Sequence, residues 1–225
     1  MNGYIDFHAH ILPQADHGSD SLETSLTQLA AAEKAGIGLI AATSHYYPDR
    51  PHSDSFFQRR QHAAQQLRAA YHGPIEIRLG AEVFLCEGMQ NHPRLHELAI
   101  EGTDDILIEM PSGGGWPQRL LDSLYAIGDE GLTVILAHVE RYPAHDVDEL
   151  LSSGLWGQVN VGSMIPMLKR LRLQKLLDRG QVVAFGSDVH GAGSTAYDDY
   201  RTVMEQQGRR GQDVQQRMRR LIGVD

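Results

Sequence analysis

The sequence predicts an α/β fold, a distorted, TIM-like barrel of seven parallel strands with helices packed outside it. Seven short runs are apolar almost continuously, which is typical of parallel strands covered on both faces. Helical patterns alternate with these runs, and this alternation favours right-handed β/α units. The chain has 225 residues, a length that suits one barrel, so we expect a single domain over residues 1–225.

The strands are predicted from the apolar runs in chain order. The first run, Tyr4-Ile5-Asp6-Phe7, ends at a histidine, and the last, Val182-Val183-Ala184-Phe185-Gly186, ends at a serine and an aspartate. The predicted strands are residues 3–8, 39–44, 75–82, 105–110, 133–139, 158–162 and 182–187. Seven β/α units in one domain favour a closed or nearly closed barrel over an open sheet.

The helices are predicted from their apolar periodicity and from their end signals. The first, residues 21–35, carries leucines at 22, 26 and 29. Asp20 and Glu23 predict its start, and Gly36 predicts its end. The other predicted helices are residues 55–71, 118–129, 164–178, 195–207 and 212–222.

Composition excludes several classes of protein. The chain is 41% hydrophobic and 22% charged, as in a soluble globular protein. No apolar segment approaches 18 residues and no signal peptide is recognisable, so no membrane span is predicted. A single cysteine excludes an internal disulfide and fits the cytoplasm. The net charge of −9 argues against a general nucleic-acid-binding function.

Histidines and carboxylates follow the predicted strands. His8 and His10 are two residues apart at the end of the first strand, beside Asp6, and Asp188 and His190 repeat that spacing after the last. Residues at this spacing on a strand point the same way. Strands two to five end in similar residues, and strand six ends in Asn160 and Ser163, which are poor ligands. The ligand-type residues are His8, His10, His45, Glu82, Glu109, His138, Asp188 and His190.

Because the carboxyl ends of barrel strands meet at one face, we expect these side chains to form one centre. Imidazole and carboxylate without thiolate suit manganese, zinc or iron. The number of groups exceeds what one ion needs, so two or three ions are expected, with Glu82 as a bridging ligand. Such ions activate water and stabilise phosphoryl transfer.

Several neighbouring residues are candidates for other roles. Arg141 is predicted to bind two phosphate oxygens, with Glu140 as its ion-pair partner. Tyr46 and Tyr47 either line the substrate entrance or pack as an ordinary loop. Cys86 is not expected to be a thiolate nucleophile, because His92 stands where such phosphatases need an arginine six residues on.

The order of these motifs resembles a known family. The segments that carry the resemblance are His8-Ala9-His10-Ile11-Leu12-Pro13, Asp16-His17-Gly18, Thr43-Ser44-His45-Tyr46, Gly80-Ala81-Glu82, Leu107-Ile108-Glu109, His138-Val139-Glu140-Arg141-Tyr142, Gln158-Val159-Asn160-Val161-Gly162-Ser163 and Gly186-Ser187-Asp188-Val189-His190. They resemble the polymerase-and-histidinol-phosphatase (PHP) superfamily, and more closely the bacterial manganese-dependent tyrosine phosphatases of capsule and exopolysaccharide systems, of the CpsB/YwqE type.

The resemblance implies a PHP-type barrel, a three-metal site, and hydrolysis of phosphotyrosine on the C-terminal tail of a polysaccharide-assembly tyrosine kinase. It implies that the eight ligand-type residues named above bind the metal. The family usually has a ligating aspartate where this chain has His17, so His17 joins the expected ligands, or Asp16 takes its place. The family also carries an arginine shortly after Asp-x-His, whereas this chain has none before Arg201.

In the expected mechanism a hydroxide shared by two ions attacks phosphorus, and Arg141 and the metals neutralise the phosphoryl oxygens. A third metal-bound water, or a nearby acid such as Asp16 or His17, protonates the leaving phenolate. Two alternatives remain open. One is a phosphatase for histidinol phosphate or another small phosphomonoester. The other is a non-catalytic descendant that binds metal or a kinase tail. Self-association also remains open.

Overall fold

Seven parallel strands form one sheet in which the spatial order follows the chain order. The structure is a computed structural model that describes residues 3–50 and 53–224. The strands are β1 Tyr4–Ala9, β2 Ile37–Tyr46, β3 Glu76–Phe84, β4 Asp105–Glu109, β5 Thr133–Leu136, β6 Trp156–Asn160 and β7 Val182–Gly186. The predicted TIM-like α/β fold is confirmed.

The seam between β1 and β7 closes the barrel without a regular ladder among the described residues. The backbone N–H of Asp188 donates to the carbonyl of His8 at 2.8 Å. The N–H of Ser187 donates to Asp6 Oδ1 at 2.9 Å. Asp6 is fully buried, and its carboxylate accepts the Ser187 N–H in place of the backbone carbonyl that a regular ladder would supply. Asp6 therefore joins two strands, and its side chain does not join the histidines.

Helices cover the outside of the sheet. They are α1 Leu22–Ala35, α2 Phe56–Ala70, α3 Gln118–Asp129, α4 Ala144–Ser152, α5 Met167–Asp178, α6 Ala196–Gln207 and α7 Arg209–Ile222. Ser21 caps α1, because its hydroxyl accepts from the N–H of Thr24 at 3.1 Å. Gly36 ends α1 in a left-handed conformation with φ of 82°, as predicted.

Three helix predictions need correction. Helix α4 is not among the predicted helices, because its nine residues are too few to show a clear apolar periodicity. Helix α5 begins at Met167 and not at residue 164, because Pro166 itself has an extended backbone with ψ of 127° and a short 3₁₀ turn over Val161–Met164 precedes it. Helix α7 begins at Arg209, three residues before the predicted start.

The core lies on both faces of the sheet. Side chains such as Phe7, Leu39, Ile106 and Phe185 are fully buried, which explains the near-continuous apolar strands. Among the described residues, no helix has the length and apolar character that crossing a bilayer requires.

Candidate metal centre

The first strand brings His8 and His10 together at the carboxyl end of the barrel. Both side chains are fully buried, and their Nε2 atoms lie 3.0 Å apart. His10 Nδ1 lies 2.8 Å from Asp16 Oδ2. Because an ionised carboxylate only accepts, Nδ1 carries the proton and Nε2 faces the centre. Asp16 thus fixes the direction in which His10 presents its lone pair.

Two glycines allow these histidines to sit so close to neighbouring backbone. A Cβ on Gly186 would lie 2.5 Å from His8 Cβ, and a Cβ on Gly18 would clash with His10 Cβ. Neither glycine has a positive φ, so space and not conformation requires glycine here. The backbone of Gly186 packs against the side chain of His8, and that of Gly18 packs against the side chain of His10.

Glu82 occupies the middle of the cluster. Glu82 on β3 is the register partner of His45 on β2, and His45 Nδ1 lies 2.9 Å from Glu82 Oε2. The same oxygen lies 3.2 Å from His8 Nε2 and 3.3 Å from His10 Nε2. Glu82 Oε1 lies 2.7 Å from His138 Nε2. One carboxylate therefore faces four imidazoles, as a bridging ligand would.

The last strand adds Asp188 and His190. Asp188 Oδ1 lies 3.6 Å from His8 Nε2 and 3.4 Å from His10 Nε2. His190 Nδ1 is 2.9 Å from the carbonyl of Asp188. A carbonyl can only accept, so Nδ1 is the donor and His190 Nε2 is left without a proton. That Nε2 is buried and has no hydrogen-bond partner among the described residues.

Two of these residues have left-handed backbones that non-glycine residues rarely adopt. The φ angle is 34° for His138 and 51° for Asp188. Such conformations cost about 1–3 kcal/mol each and cluster at functional sites. The turn at His138 ends β5 at Leu136, three residues before the predicted end, because the backbone leaves the strand to aim the imidazole inward.

The ligand atoms fall into three overlapping groups. In each group the atoms lie within 4.8 Å of one another. The groups are His10–His45–His190, His8–His10–Asp188 and His45–Glu82–Glu109. His138 lies beside the third group, with Nε2 3.7 Å from Glu109 Oε1. All eight ligand-type strand-end residues are thus brought together.

The donor chemistry fits divalent cations. Buried polar atoms in proteins are almost always paired, yet Glu82 Oε2 and His190 Nε2 have no hydrogen bond among the described residues. Both atoms point at other ligand atoms, an arrangement that a shared cation explains. Nitrogen and carboxylate donors without thiolate suit manganese, iron or zinc.

Mutual charge shifts the pKa values within the cluster. Burial alone would lower the pKa of His10, but hydrogen bonds from its ring to the carboxylates of Asp16, Asp188 and Glu82 outweigh burial and raise this pKa well above its ordinary value. Burial would raise the pKa of Glu82, but the charge of His8 and the close contacts with His10, His138 and His45 hold this pKa well below its usual range. The anionic carboxylates therefore favour cations in their midst.

Asp16 and His17 occupy different positions. Asp16 Oδ2 accepts from the N–H of His45 at 2.8 Å as well as from His10. These bonds overcome the effect of burial and lower the pKa of Asp16, so it holds no proton to donate near neutral pH. His17 stacks on His45 with ring centroids 4.7 Å apart and lies outside the three converging groups.

Arg141 lies at the entrance of the centre. Its side chain is 53% exposed, and it forms an ion pair with Asp188 Oδ2. Glu140 is not its ion-pair partner, contrary to the prediction. Glu140 instead accepts from Ser163 Oγ at 3.2 Å and from the N–H of Asn160. Burial raises the pKa of Glu140 to about 7.

The two tyrosines after His45 face different surroundings. Tyr46 is 2% exposed, and its hydroxyl lies 2.8 Å from His92 Nε2. Tyr47 is partly exposed and stacks on His45 with centroids 5.3 Å apart. The guanidinium of Arg50 lies 3.9 Å from the centre of the Tyr47 ring. The sequence does not predict Arg50 as a site residue, because only its contact with Tyr47 in the folded loop places it there.

A cavity of about 210 Å³ opens beside His17, His45, Tyr47 and Arg50. Its walls combine aromatic rings with cations next to the ligand cluster, which suits an anionic aryl group.

Cys86 lies outside this cavity, and burial raises the pKa of its thiol. A raised pKa disfavours a thiolate, as predicted.

The fold and this centre define a class of barrel proteins in which histidines and carboxylates from the strand ends share one pocket. The profile of the family described as capsular polysaccharide synthesis, CpsB/CapC, matches residues 4–220. The chain belongs to this family.

Known relatives agree with this placement. The tyrosine-protein phosphatase CpsB of Streptococcus pneumoniae is 28% identical over 211 residues, 84% of each chain. The tyrosine-protein phosphatase YwqE of Bacillus subtilis is 27% identical over 205 residues, 83% of this chain and 77% of that protein. A crystal structure described with YwqE and CpsB as metal-dependent tyrosine phosphatases gives a TM-score of 0.77 at 22% identity, covering 98% of this chain and 95% of that one.

Proposed function

We propose that this chain is a metal-dependent protein-tyrosine phosphatase. The observation that carries the proposal is the convergence of eight imidazole and carboxylate side chains from six strand ends into one pocket. Relatives that align with most of the chain are named tyrosine-protein phosphatases. The whole chain, residues 1–225, acts in this proposal as one metallophosphatase domain.

The centre holds two or three divalent ions in this proposal, with manganese as the expected metal and iron or zinc as alternatives. The ligands are His8, His10, His45, Glu82, Glu109, His138, Asp188 and His190, with His17 as a further candidate above His45. Glu82 would be the shared ligand of neighbouring ions, since its two oxygens face different imidazoles. Bound ions supply a water of lowered pKa and offset the negative charge of a phosphoryl group.

The remaining residues orient the substrate and move a proton. Arg141 turns from Asp188 to bind two phosphoryl oxygens, because its fork matches their geometry. Tyr47, and with it the more buried Tyr46, forms the aromatic wall for the tyrosyl ring. Where His17 does not serve as a ligand, it is the better candidate to protonate the departing phenolate, since Asp16 is held ionised by His10 and His45. Tyrosine with its pKa near 10 is a tolerable leaving group.

The substrate in this proposal is a phosphotyrosine-bearing protein, the C-terminal tail of a bacterial tyrosine kinase of capsule or exopolysaccharide assembly. The family description and the names of the relatives support this choice. A cytoplasmic site of action fits the single cysteine.

The test combines elemental analysis with turnover. We expect the purified protein to contain a divalent metal and to hydrolyse p-nitrophenyl phosphate and phosphotyrosine peptides. Chelation should abolish this activity, and added Mn²⁺ should restore it. A higher kcat/KM for histidinol phosphate than for phosphotyrosine peptides would favour the small-substrate alternative. Capture of a phosphorylated kinase tail without hydrolysis by the metal-loaded protein would favour the non-catalytic alternative.

A further inference from the structure

Strand β6 contributes no ligand, but two of its side chains lie directly behind the centre. Gln158 is fully buried and Asn160 is 7% exposed. They are two residues apart on β6 and hydrogen-bonded to each other, with Gln158 Nε2 2.9 Å from Asn160 Oδ1. Together they contact residues from three other parts of the chain: His8, His138 and Asp188.

The orientation of the Gln158 amide follows from one unambiguous donor. The backbone N–H of His138 lies 2.7 Å from Gln158 Oε1. A backbone N–H can only donate, so the atom facing it is the amide oxygen. The amide nitrogen then faces Asn160 and donates to its Oδ1.

This orientation fixes the tautomer of His8. Gln158 Oε1 also lies 3.2 Å from His8 Nδ1. Because that oxygen accepts, Nδ1 must carry the ring proton when His8 is neutral, and Nε2 is left with its lone pair. His8 Nε2 is the atom that faces Glu82 and His10. The amide therefore presents His8 in the form that a metal ligand needs.

The same chain of bonds orients Asp188. Asn160 Oδ1 accepts from Gln158, so Asn160 Nδ2 is the donor to Asp188 Oδ2 at 2.7 Å. Asp188 Oδ1 is then the oxygen left facing His10. Glu140 supports Asn160 from behind by accepting its backbone N–H. One directional path thus runs from His8 Nδ1 through both amides to Asp188 Oδ2.

We propose that Gln158 and Asn160 are positioning residues that set the His8 tautomer and the Asp188 carboxylate for cation binding. This inference rests on the proposed function in requiring that the centre bind divalent ions. Groups behind metal ligands typically contribute 10–100-fold to metal affinity. The two candidate ligands with left-handed backbones, His138 and Asp188, are also hydrogen-bonded to these amides. The amides therefore hold the turns that carry these two side chains.

The test uses matched amide-removing variants of the full-length protein. Gln158→Met and Asn160→Leu keep similar volume and remove the hydrogen bonds. Gln215→Met is the control. Gln215 is equally buried and accepts from the N–H of Ile5 at 2.8 Å, but it contacts α6 and β1 away from the ligands. Mn²⁺ dissociation constants are measured by chelator competition, and stability of the metal-free protein by urea unfolding.

We expect Gln158→Met and Asn160→Leu each to raise the Mn²⁺ dissociation constant by about 10–100-fold. Gln215→Met should lower stability and leave the dissociation constant unchanged. Nitrogen-15 NMR of wild-type protein loaded with Zn²⁺ should show His8 with a proton on Nδ1 and none on Nε2. The NMR measurement keeps the inference testable even if a variant fails to fold.

A protonated Nε2 on His8 in the Zn²⁺-loaded protein would overturn the inference. Folded variants with the wild-type Mn²⁺ dissociation constant would overturn it as well. Both readouts are independent of turnover. If the variants lose Mn²⁺ affinity and the Zn²⁺-loaded wild type has the expected His8 tautomer, but the wild type hydrolyses no phosphotyrosine peptide, the phosphatase proposal fails and the positioning role stands.

Discussion

Asp105, at the start of β4, provides a quantitative prediction away from the metal centre. Its side chain is 3% exposed, and Oδ2 has no hydrogen-bond partner among the described residues. Burial, reinforced by the charge of Asp104, raises the pKa of Asp105 from 3.8 to about 7. A raised carboxyl pKa means that the folded chain binds more protons than the unfolded chain between these pH values. Stability therefore falls as pH rises through this window.

The magnitude follows from the shift. Each pKa unit corresponds to about 1.4 kcal/mol, so the fully ionised Asp105 costs about 4 kcal/mol of folding free energy at high pH. Between pH 5 and pH 8 its contribution changes by about 2.5 kcal/mol, since part of the loss occurs below pH 5. Asp105→Asn removes this titration. The new amide donor adds a cost of about 1–3 kcal/mol that is the same at both pH values.

The assay is urea unfolding of the metal-free wild type and Asp105→Asn at pH 5 and pH 8. We expect the free energy of unfolding of the variant, relative to wild type, to be about 2.5 kcal/mol higher at pH 8 than at pH 5, so that the variant gains relative stability. Asp129→Asn, at an exposed position on α3, controls for loss of one charge. A relative stability of Asp105→Asn that does not change with pH would refute the reasoning.

Three further predictions concern the centre. His138→Ala should reduce phosphatase turnover to that of the chelated protein with the far-ultraviolet circular dichroism unchanged; near-normal turnover would exclude His138 from the centre. Gly186→Ala should displace His8 and weaken Mn²⁺ binding. Its control, Gly128→Ala at an open helical position, should add about 1 kcal/mol of stability and leave Mn²⁺ binding unchanged. Equal Mn²⁺ binding by the two variants would contradict the close approach of Gly186 to His8. Tyr47→Ala should raise KM for phosphotyrosine peptides by about 2–10-fold at constant kcat, as expected for loss of one aromatic contact; an unchanged KM would place the aryl group elsewhere.

The strands and the ligand cluster were largely predictable because each rests on a local pattern. All seven predicted strands overlap observed ones, since parallel strands read as continuous apolar runs. The convergence of their terminal residues follows from barrel topology. Helix α4 lacked such a signal because it is short.

The remaining features depend on distant parts of the chain or on the conformation of a loop. The partner of Glu140 was mispredicted, because sequence adjacency favoured Arg141 while folding placed Ser163 and Asn160 against it. The stacking of Arg50 on Tyr47 needs a loop conformation that no periodicity encodes. The left-handed backbone of His138 accompanies a hydrogen bond from its N–H to Gln158 on β6, and β5 ends earlier than its apolar run indicates.

The seam at Asp6 affects the order in which the barrel can fold during synthesis. During translation β1 emerges first, yet the strand it meets across the seam is produced about 180 residues later, as the separation of 181 residues between Asp6 and Ser187 records. Contacts this remote in sequence form late. A nascent polypeptide stopped short of β7 lacks Asp188 and His190, so the proposed metal centre can be completed only after this last strand has been made.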